Sequence, residues 1–327
     1  MNKQKPFIIA EIGNNHEGSL KNAKKMINLA SKAGVDAVKF QIYKTEHFIH
    51  PNETKRYKQL KKFELSYKDF TILKKHAKIN KIKFIASAFD FESLKFALKI
   101  TDFIKIASGD NNFFPLIEKA IKSRQKIIIS TGMTNIENLN YLKQFLIKKL
   151  GSRKYNEKII FLHCVSSYPV LDYEANLNSI KYLKKILKTE IGYSDHTIGT
   201  NACIAAFVLG ARVIEKHFTI DKNFSNFRDH KLSLDFNEMK KLVIAIKSIH
   251  KMLGKRKKEK NTKEKAIEKL ARRNLYAKKD ILKGDKIDSS FINFLRPANS
   301  NNFKLINKKI YFTSKKKIKK NFLVKNN

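Results

Sequence analysis

The chain has 327 residues, with 69 Lys and Arg against 29 Asp and Glu, a net charge of +40, 42% hydrophobic residues and two cysteines. That length suits one large domain with a small one added, and the hydrophobic content supports a real core. Cys164 and Cys203 suit reduced thiols rather than a disulfide framework. No window of about 18 unbroken apolar residues predicts a membrane helix, and the opening MNKQKPFIIAEIG lacks a signal-peptide apolar region, so a cytoplasmic protein is expected.

In chain order, eight short apolar runs predict strands: FIIAEIG (7–13), VDAVKFQ (35–41), IKFIAS (82–87), DFIKIAS (102–108), KIIIS (126–130), KIIFLHC (158–164), EIGYSDH (190–196) and RVIEKH (212–217). Helical spacing between and after them predicts helices near 20–33, 67–80, 91–99, 113–122, 135–150, 175–188, 200–209 and 235–253. The stretch from Tyr43 to Ser66 is too long for a simple connection and predicts an excursion over one end of the fold. Residues 255–268 are nearly all charged or polar and are expected to form a linker. Residues 269–327 hold short strand-like pieces with turns at KGD and PANSNN, a small β-rich domain too short to bury a large core alone. The expected organisation is therefore 1–254, 255–268 and 269–327.

Strands alternating with helices imply right-handed parallel βαβ units, and eight of them close into an α/β (β/α)8 TIM barrel. Its active site would lie at the carboxyl ends of the strands. The runs end in Glu11, Lys39 with Gln41, Ser87, Lys105 with Ser108, Ser130, His163, Ser194 with His196, and Glu215 with His217. Polar groups gathered there argue for an enzyme.

Three chemistries follow from these positions. His196 and His217 end neighbouring strands, and two neutral imidazoles with water and substrate oxygens suit a divalent transition metal such as Mn²⁺. The alternative is that each histidine only hydrogen-bonds locally. Lys39 and Lys105, beside Ser87, Ser108 and Ser130, suit an anion site, helped by the amides of Ser130-Thr131-Gly132. Here the alternative is that the lysines pair with barrel carboxylates such as Glu11. Glu11 and Asp110 are candidate acid–base groups: burial would raise either pKa, and the lysines would oppose that rise.

The segments AEIGNNHEGSL (10–20), VKFQIY (38–43), IKIASGDNNFFPLI (104–117), ISTGM (129–133), HCVSSYP (163–169), GYSDHTIG (192–199) and IEKHFT (214–219) together resemble the sialic acid synthase family. RRNLYAKKDILKGD (272–285) and LRP (295–297) resemble its C-terminal antifreeze-like (SAF) domain. The resemblance implies that phosphoenolpyruvate adds through C3 to the aldehyde of an open-chain N-acyl hexosamine. It implies that water attacks C2 and phosphate leaves by C–O cleavage. The product is a nine-carbon 2-keto-3-deoxy acid. It implies that His196 and His217 hold Mn²⁺ (or Mg²⁺ or Co²⁺). Lys39, Ser87, Lys105, Ser108, Ser130, Ser166 and Ser194 would contact phosphoenolpyruvate. Gln41, Tyr168 and Asp229 would stand on the sugar side, with Glu11 and Asp110 handling protons or orienting the sugar. It further implies a homodimer in which Arg296 of one subunit's small domain reaches the partner's barrel.

The sequence departs from the family pattern at Asp110, where some members have Glu, at Ser166, where others have Asn, and at NFRDHKLSL (226–234), which replaces a Gly-Pro-Asp lead-in. These changes leave the reaction type intact and bear on the sugar. The sugar would be N-acetylmannosamine or a relative, or the diacetamido-trideoxyhexose of a legionaminate or pseudaminate synthase. A basic nucleic-acid-binding protein is the distant alternative. Lys is scattered over every predicted helix except 200–209, so no specific nucleic-acid partner is expected.

Overall fold

The computed structural model describes residues 5–254, 257–296 and 312–324. They fall into two compact units, Met1–Gly254 and Lys255–Asn327.

The first unit is a closed barrel of eight parallel strands: β1 (Phe7–Gly13), β2 (Ala37–Ile42), β3 (Lys83–Ala88), β4 (Phe103–Ile106), β5 (Lys126–Ser130), β6 (Ile159–Cys164), β7 (Glu190–Asp195) and β8 (Val213–His217). β8 closes on β1, with Glu11 opposite His217. Side chains alternate across each strand, so every second residue faces the barrel axis. Ile9, Ala37, Ile85, Ile128, Ile160, Leu162 and Val213 fill the interior as one apolar cluster. Two residues further along their strands, roughly 6.6 Å nearer the mouth, stand Glu11, Lys39, Ser87, Ser130, Cys164 and Glu215. The barrel thus changes from an apolar plug to a polar layer within one strand repeat.

The helices pack outside the strands through a larger core that includes Ile8, Val38, Phe40, Phe84, Ile104, Phe161 and Ile214. Their ends follow local chemistry. Helix Leu20–Ala33 starts at Ser19, whose side chain accepts from the Asn22 N–H, and stops at Gly34, which takes the left-handed φ of 86°. Capping boxes Ser66/Asp69 and Asp235/Glu238 open helices Tyr67–Ile79 and Phe236–Met252. The excursion after β2 carries two short helices, Thr45–Phe48 and Thr54–Phe63. Tyr43, Ile49 and Leu60 give it a small core of its own. The helix expected over 135–150 is followed by a further one, Ser152–Lys158, whose buried Tyr155 donates to the Leu187 carbonyl.

The second unit pairs β9 (Asn274–Ala277) with β11 (Ile292–Leu295), and β10 (Lys286–Ile287) with β12 (Phe312–Thr313), all antiparallel. Its described core is small: Ala277, Ile281, Ile287, Ile292, Ile318 and Val324. The expected linker over 255–268 needs correction, because helix Thr262–Ala271 occupies much of it. Asn261 and Glu264 form its capping box, and Glu268 pairs with Lys260 and Arg272. Alternating Lys and Glu reads as an unstructured tract, yet the same residues cap and cross-link an exposed helix.

Among the described residues, no helix is long and apolar enough to cross a membrane.

Candidate active site

The polar layer is organised around one carboxylate oxygen. Glu215 Oε1 accepts from Lys39 Nζ at 2.9 Å, Lys105 Nζ at 3.2 Å and Ser194 Oγ at 2.9 Å, and all four residues are buried. Although burial opposes ionisation, Lys105 and Lys39 hold the Glu215 carboxyl well below the usual carboxylate range. Lys39 also lies 3.3 Å from Glu11 Oε2. Desolvation dominates at Glu11 and pushes its carboxyl up to about 7, against the pull of Lys39. Desolvation lowers the Lys105 ammonium. It works against Lys39 too, but the two carboxylates hold that ammonium above its ordinary value.

The pairing foreseen between Lys39 and Glu11 is therefore present, with Glu215 as the nearer partner. Two lysines share one firmly ionised carboxylate, so while Glu11 holds its proton the layer carries a net positive charge and suits an anion.

The serines widen this layer. Ser87 is buried, opposite Gln41 on β2 and Lys105 on β4 in the strand register. Asn111 Nδ2 donates to the carbonyls of Ser130 and Gly132 and fixes the turn after β5. A Cβ at Gly132 would collide with Ser166 Oγ and Ser108 Oγ, so the glycine is where those two hydroxyls meet. Ser108 Oγ donates to Cys164 Sγ at 3.6 Å, and that sulfur lies 3.8 Å from His196 Nδ1. Gly13, at φ +53°, leaves room for Glu11 Oε1 and Gln41 Nε2, which a Cβ there would approach at 3.1 and 3.4 Å. Asn14 Nδ2 donates to Gln41 Oε1 at 3.0 Å.

Four atoms at this end of the barrel are buried with no hydrogen-bond partner, Ser130 Oγ, Ser166 Oγ, Glu215 Oε2 and His217 Nδ1, while Glu11 Oε2 and Asp229 Oδ1 have only their longer contacts to Lys39 and Arg228. A buried polar group without a partner is costly. Their gathering at the strand ends marks a place built to receive polar ligands.

His196 and His217 are brought together as predicted, with ring centroids 5.3 Å apart. Two imidazoles bound at roughly 2.1 Å to one cation, at ordinary angles, would place their centroids roughly 5 Å apart. His196 Nδ1 lies 2.8 Å from the Val165 carbonyl, so it carries the hydrogen and leaves Nε2 as the free lone pair. His217 is buried, and desolvation with neighbouring His196 and Lys39 keeps it neutral. Although burial works against it, Cys164 and the Val165 carbonyl raise the His196 pKa, so a cation there competes with a proton. Among the described residues no cluster of three or more His, Cys, Asp or Glu fits a metal. The donor set thus suits a cation that takes its remaining ligands from water and substrate.

Tyr168 covers this pair, 4.3 Å from the His196 ring and 6.3 Å from the His217 ring between centroids. The Arg228 guanidinium lies 4.6 Å over the Tyr168 ring, and its Nε is 3.4 Å from Asp229 Oδ1. Burial raises the Asp229 carboxyl despite Arg228.

Asp110 sits past β4 in the turn Ser108–Asp110, and desolvation alone pushes its carboxyl up to about 6. His163 faces outward: its Nε2 meets the Ala175 carbonyl at 2.9 Å and its ring stacks on Tyr193. Arg296 is exposed, directly after β11 in the second unit. Sequence reasoning placed Glu215 at a strand end but gave it no role. The signal was its two-residue spacing from His217, which turns both side chains inward. Asn111 and Arg228 were missed as neighbours of the site, since each acts through a contact made across loops; Cys164 was missed although its two-residue spacing from Leu162 turns it inward.

Known proteins resemble this chain over most of its length. Residues 26–258 match the NeuB family. The N,N′-diacetyllegionaminic acid synthase of Campylobacter jejuni is 40% identical over 313 residues, covering 90% of this chain and 92% of that protein. The pseudaminic acid synthase of the same species is 37% identical over 314 residues, covering 90% and 88%. The crystal structure of N-acetylneuraminic acid (sialic acid) synthetase from Leptospira borgpetersenii, in complex with citrate, superposes with a TM-score of 0.75 at 35% identity, covering 81% of this chain and 90% of that one. With an eight-stranded barrel, a polar layer at its carboxyl ends and a match running through most of the barrel, the chain belongs to the NeuB family.

Proposed function

We propose that the protein condenses phosphoenolpyruvate with an N-acyl hexosamine to give a nine-carbon, sialic acid-type 2-keto-3-deoxy acid and phosphate. The observation that carries this reading is the Lys39–Glu215–Lys105 cluster, ringed by serine hydroxyls and set beside a two-histidine site. Phosphoenolpyruvate offers a carboxylate and a phosphate to match two ammonium groups. Lys39 and Lys105 would bind these anionic groups, with hydrogen bonds from Ser87, Ser108, Ser130, Ser166 and Ser194 orienting the oxygens. C3 of phosphoenolpyruvate forms the new bond to the aldehyde carbon, whose oxygen takes up a proton. Water adds at C2, and the C2–O bond to phosphate breaks to leave the ketone. Glu11 and Asp110, with carboxyls near 7 and 6, exchange protons close to neutral pH and suit these transfers. A divalent cation, Mn²⁺ or alternatively Mg²⁺ or Co²⁺, held by His196 and His217 would supply Lewis-acid polarisation of the aldehyde.

Gln41, Tyr168 and Asp229 form the sugar side. Arg296, supplied by the SAF-type domain of a partner subunit in a homodimer, would complete it through the N-acyl oxygen. The 40% identity to a diacetyllegionaminic acid synthase favours a diacetamido-trideoxyhexose as the sugar, with N-acetylmannosamine as the other candidate. The test is a phosphate-release assay with phosphoenolpyruvate and three hexosamines, with and without Mn²⁺. Metal-dependent release with one of them is expected. No release with any of them overturns the assignment.

A further inference from the structure

The outer faces of β7 and β8 hold a second polar cluster, which the reaction chemistry leaves unused. Asp195 and Lys216 face each other in the strand register, both side chains fully buried, with Oδ2 and Nζ 2.7 Å apart. Asp195 Oδ1 accepts from the Tyr193 hydroxyl at 3.0 Å and the Thr197 N–H at 2.9 Å. Oδ2 also accepts from Thr197 Oγ1 and Cys203 Sγ, each at 3.2 Å. Lys216 Nζ donates in turn to the Thr197 carbonyl. Asp195 and Thr197 are the residues on either side of His196, and Lys216 immediately precedes His217. Alternation along a strand turns both histidines inward and this pair outward. Each bond in the cluster therefore fixes the backbone from which one imidazole projects.

We propose that Asp195 and Lys216 are positioning residues that lock the ends of β7 and β8 so that His196 and His217 converge on one cation. This rests on the reading of those histidines as metal ligands. With only two protein ligands, a cation cannot order its own site as it does with three or four side chains, so the convergence must be built in beforehand. An apolar pair of similar volume would join the strands to helix Asn201–Leu209 without desolvating two charges. The buried ion pair instead joins Lys216 to both chain neighbours of His196. That geometric control is what the apolar pair would lack.

The experiment compares the full-length wild type with His217→Ala, Lys216→Met, the double variant Asp195→Asn/Lys216→Met, and Tyr193→Phe. Free Mn²⁺ is followed by electron paramagnetic resonance in a titration, and each protein's Tm is measured alongside. The double variant leaves no lone buried charge, and Tyr193→Phe removes a single hydrogen bond to Asp195. We expect Mn²⁺ binding to the wild type, none to His217→Ala, and affinity about 10- to 100-fold weaker in the folded double variant. Tyr193→Phe should weaken binding a few-fold. Raising Mn²⁺ should restore kcat in the double variant, with KM for phosphoenolpyruvate unchanged. Wild-type Mn²⁺ affinity in the folded variants, with only Tm altered, overturns the positioning role and leaves the metal reading intact. Absence of Mn²⁺ binding by the wild type removes the metal reading and this inference with it.

Discussion

Two neighbouring parts of the barrel mouth are satisfied in opposite ways. Around Glu215 Oε1, three donors from β2, β4 and β7 converge on one oxygen, so the anion side is held together by its own charges. Around the end of β8, His217 Nδ1 is buried without a hydrogen-bond partner, and Asp229 Oδ1 has only the Arg228 guanidinium, 3.4 Å away. Tyr168 and Arg228 lie over them as a stack rather than a hydrogen-bonded network. An anion entering the first part exchanges ionic contacts at the lysines for new ones and also meets Ser130 Oγ, which is buried without a hydrogen-bond partner. A ligand entering the second part supplies partners the protein lacks. The departure from the family pattern at 226–234 holds Arg228 and Asp229 and so lies within the second part, which is where substrate discrimination would reside.

The most severe way to break this comparison is to remove the incomplete side. His217→Ala should lower kcat by about 1,000-fold or more, on the order of 4 kcal/mol of lost Lewis-acid stabilisation. Phosphoenolpyruvate binding, measured by calorimetry, should survive, because the lysines and serines are untouched. Full activity after chelation would refute the metal assignment.

The next variants act on the self-satisfied side. Lys39→Met or Lys105→Met should reduce kcat/KM for phosphoenolpyruvate by about 10-fold or more, roughly 1.4 kcal/mol or above. Lys39→Met should be the more damaging, since Lys39 lies near both Glu11 and Glu215 whereas Lys105 is bonded to Glu215 alone. Unchanged kinetics in both would show that the lysines serve the barrel and not the substrate.

Why the barrel was legible and parts of its mouth were not follows from these same residues. Period-two alternation within a strand is a local property, so Glu11, Lys39, Ser87 and His217 could be placed inward from sequence alone. Whether Lys39 on β2 and Lys105 on β4 reach the same oxygen of Glu215 on β8 depends on the stagger of a closed barrel, which no local pattern carries. Asp195 and Lys216 were hidden for the opposite reason. Charged residues on the outer face of a strand resemble solvent-facing positions until a helix covers them. The helix at Thr262–Ala271 was hidden because its apolar stripe is short, Ala266, Ile267, Leu270 and Ala271, and sits in a run dominated by Lys and Glu.

A smaller effect is expected at Arg296. If a partner subunit's arginine completes the sugar side, Arg296→Ala should raise the sugar KM by about 10-fold, roughly one lost charge-assisted hydrogen bond, and leave the KM for phosphoenolpyruvate unchanged. Mixing Arg296→Ala with His217→Ala protein should restore some activity after subunit exchange, because one hybrid barrel then receives both intact groups. No rescue after demonstrated exchange would place the arginine's action within its own chain, or outside catalysis.

The smallest expected change lies at the boundary of the two parts, in Glu11. Burial raises its carboxyl from an ordinary value of 4.5 to about 7, so between those values the folded protein keeps a proton that the unfolded chain has released. The sign follows by linkage: this carboxyl's stabilising contribution is fully present below pH 4.5, falls as pH rises, and is lost above about pH 7. Glu11→Gln mimics the protonated form at every pH, so it should leave Tm near the wild-type value at pH 5 and raise it at pH 8. The full linkage effect is about 3 kcal/mol and already contains the pull of Lys39. The amide reproduces the protonated carboxyl's hydrogen bonds only in part, so a gain of about 1 kcal/mol, or about 2–4 °C in a chain of this size, is expected. The same substitution should depress turnover, since the group that titrates near neutrality is gone. A variant that is less stable at pH 8 than the wild type would mean that the ion pair with Lys39 outweighs desolvation. Glu11 would then belong to the self-satisfied side of the mouth and not to its proton-handling edge.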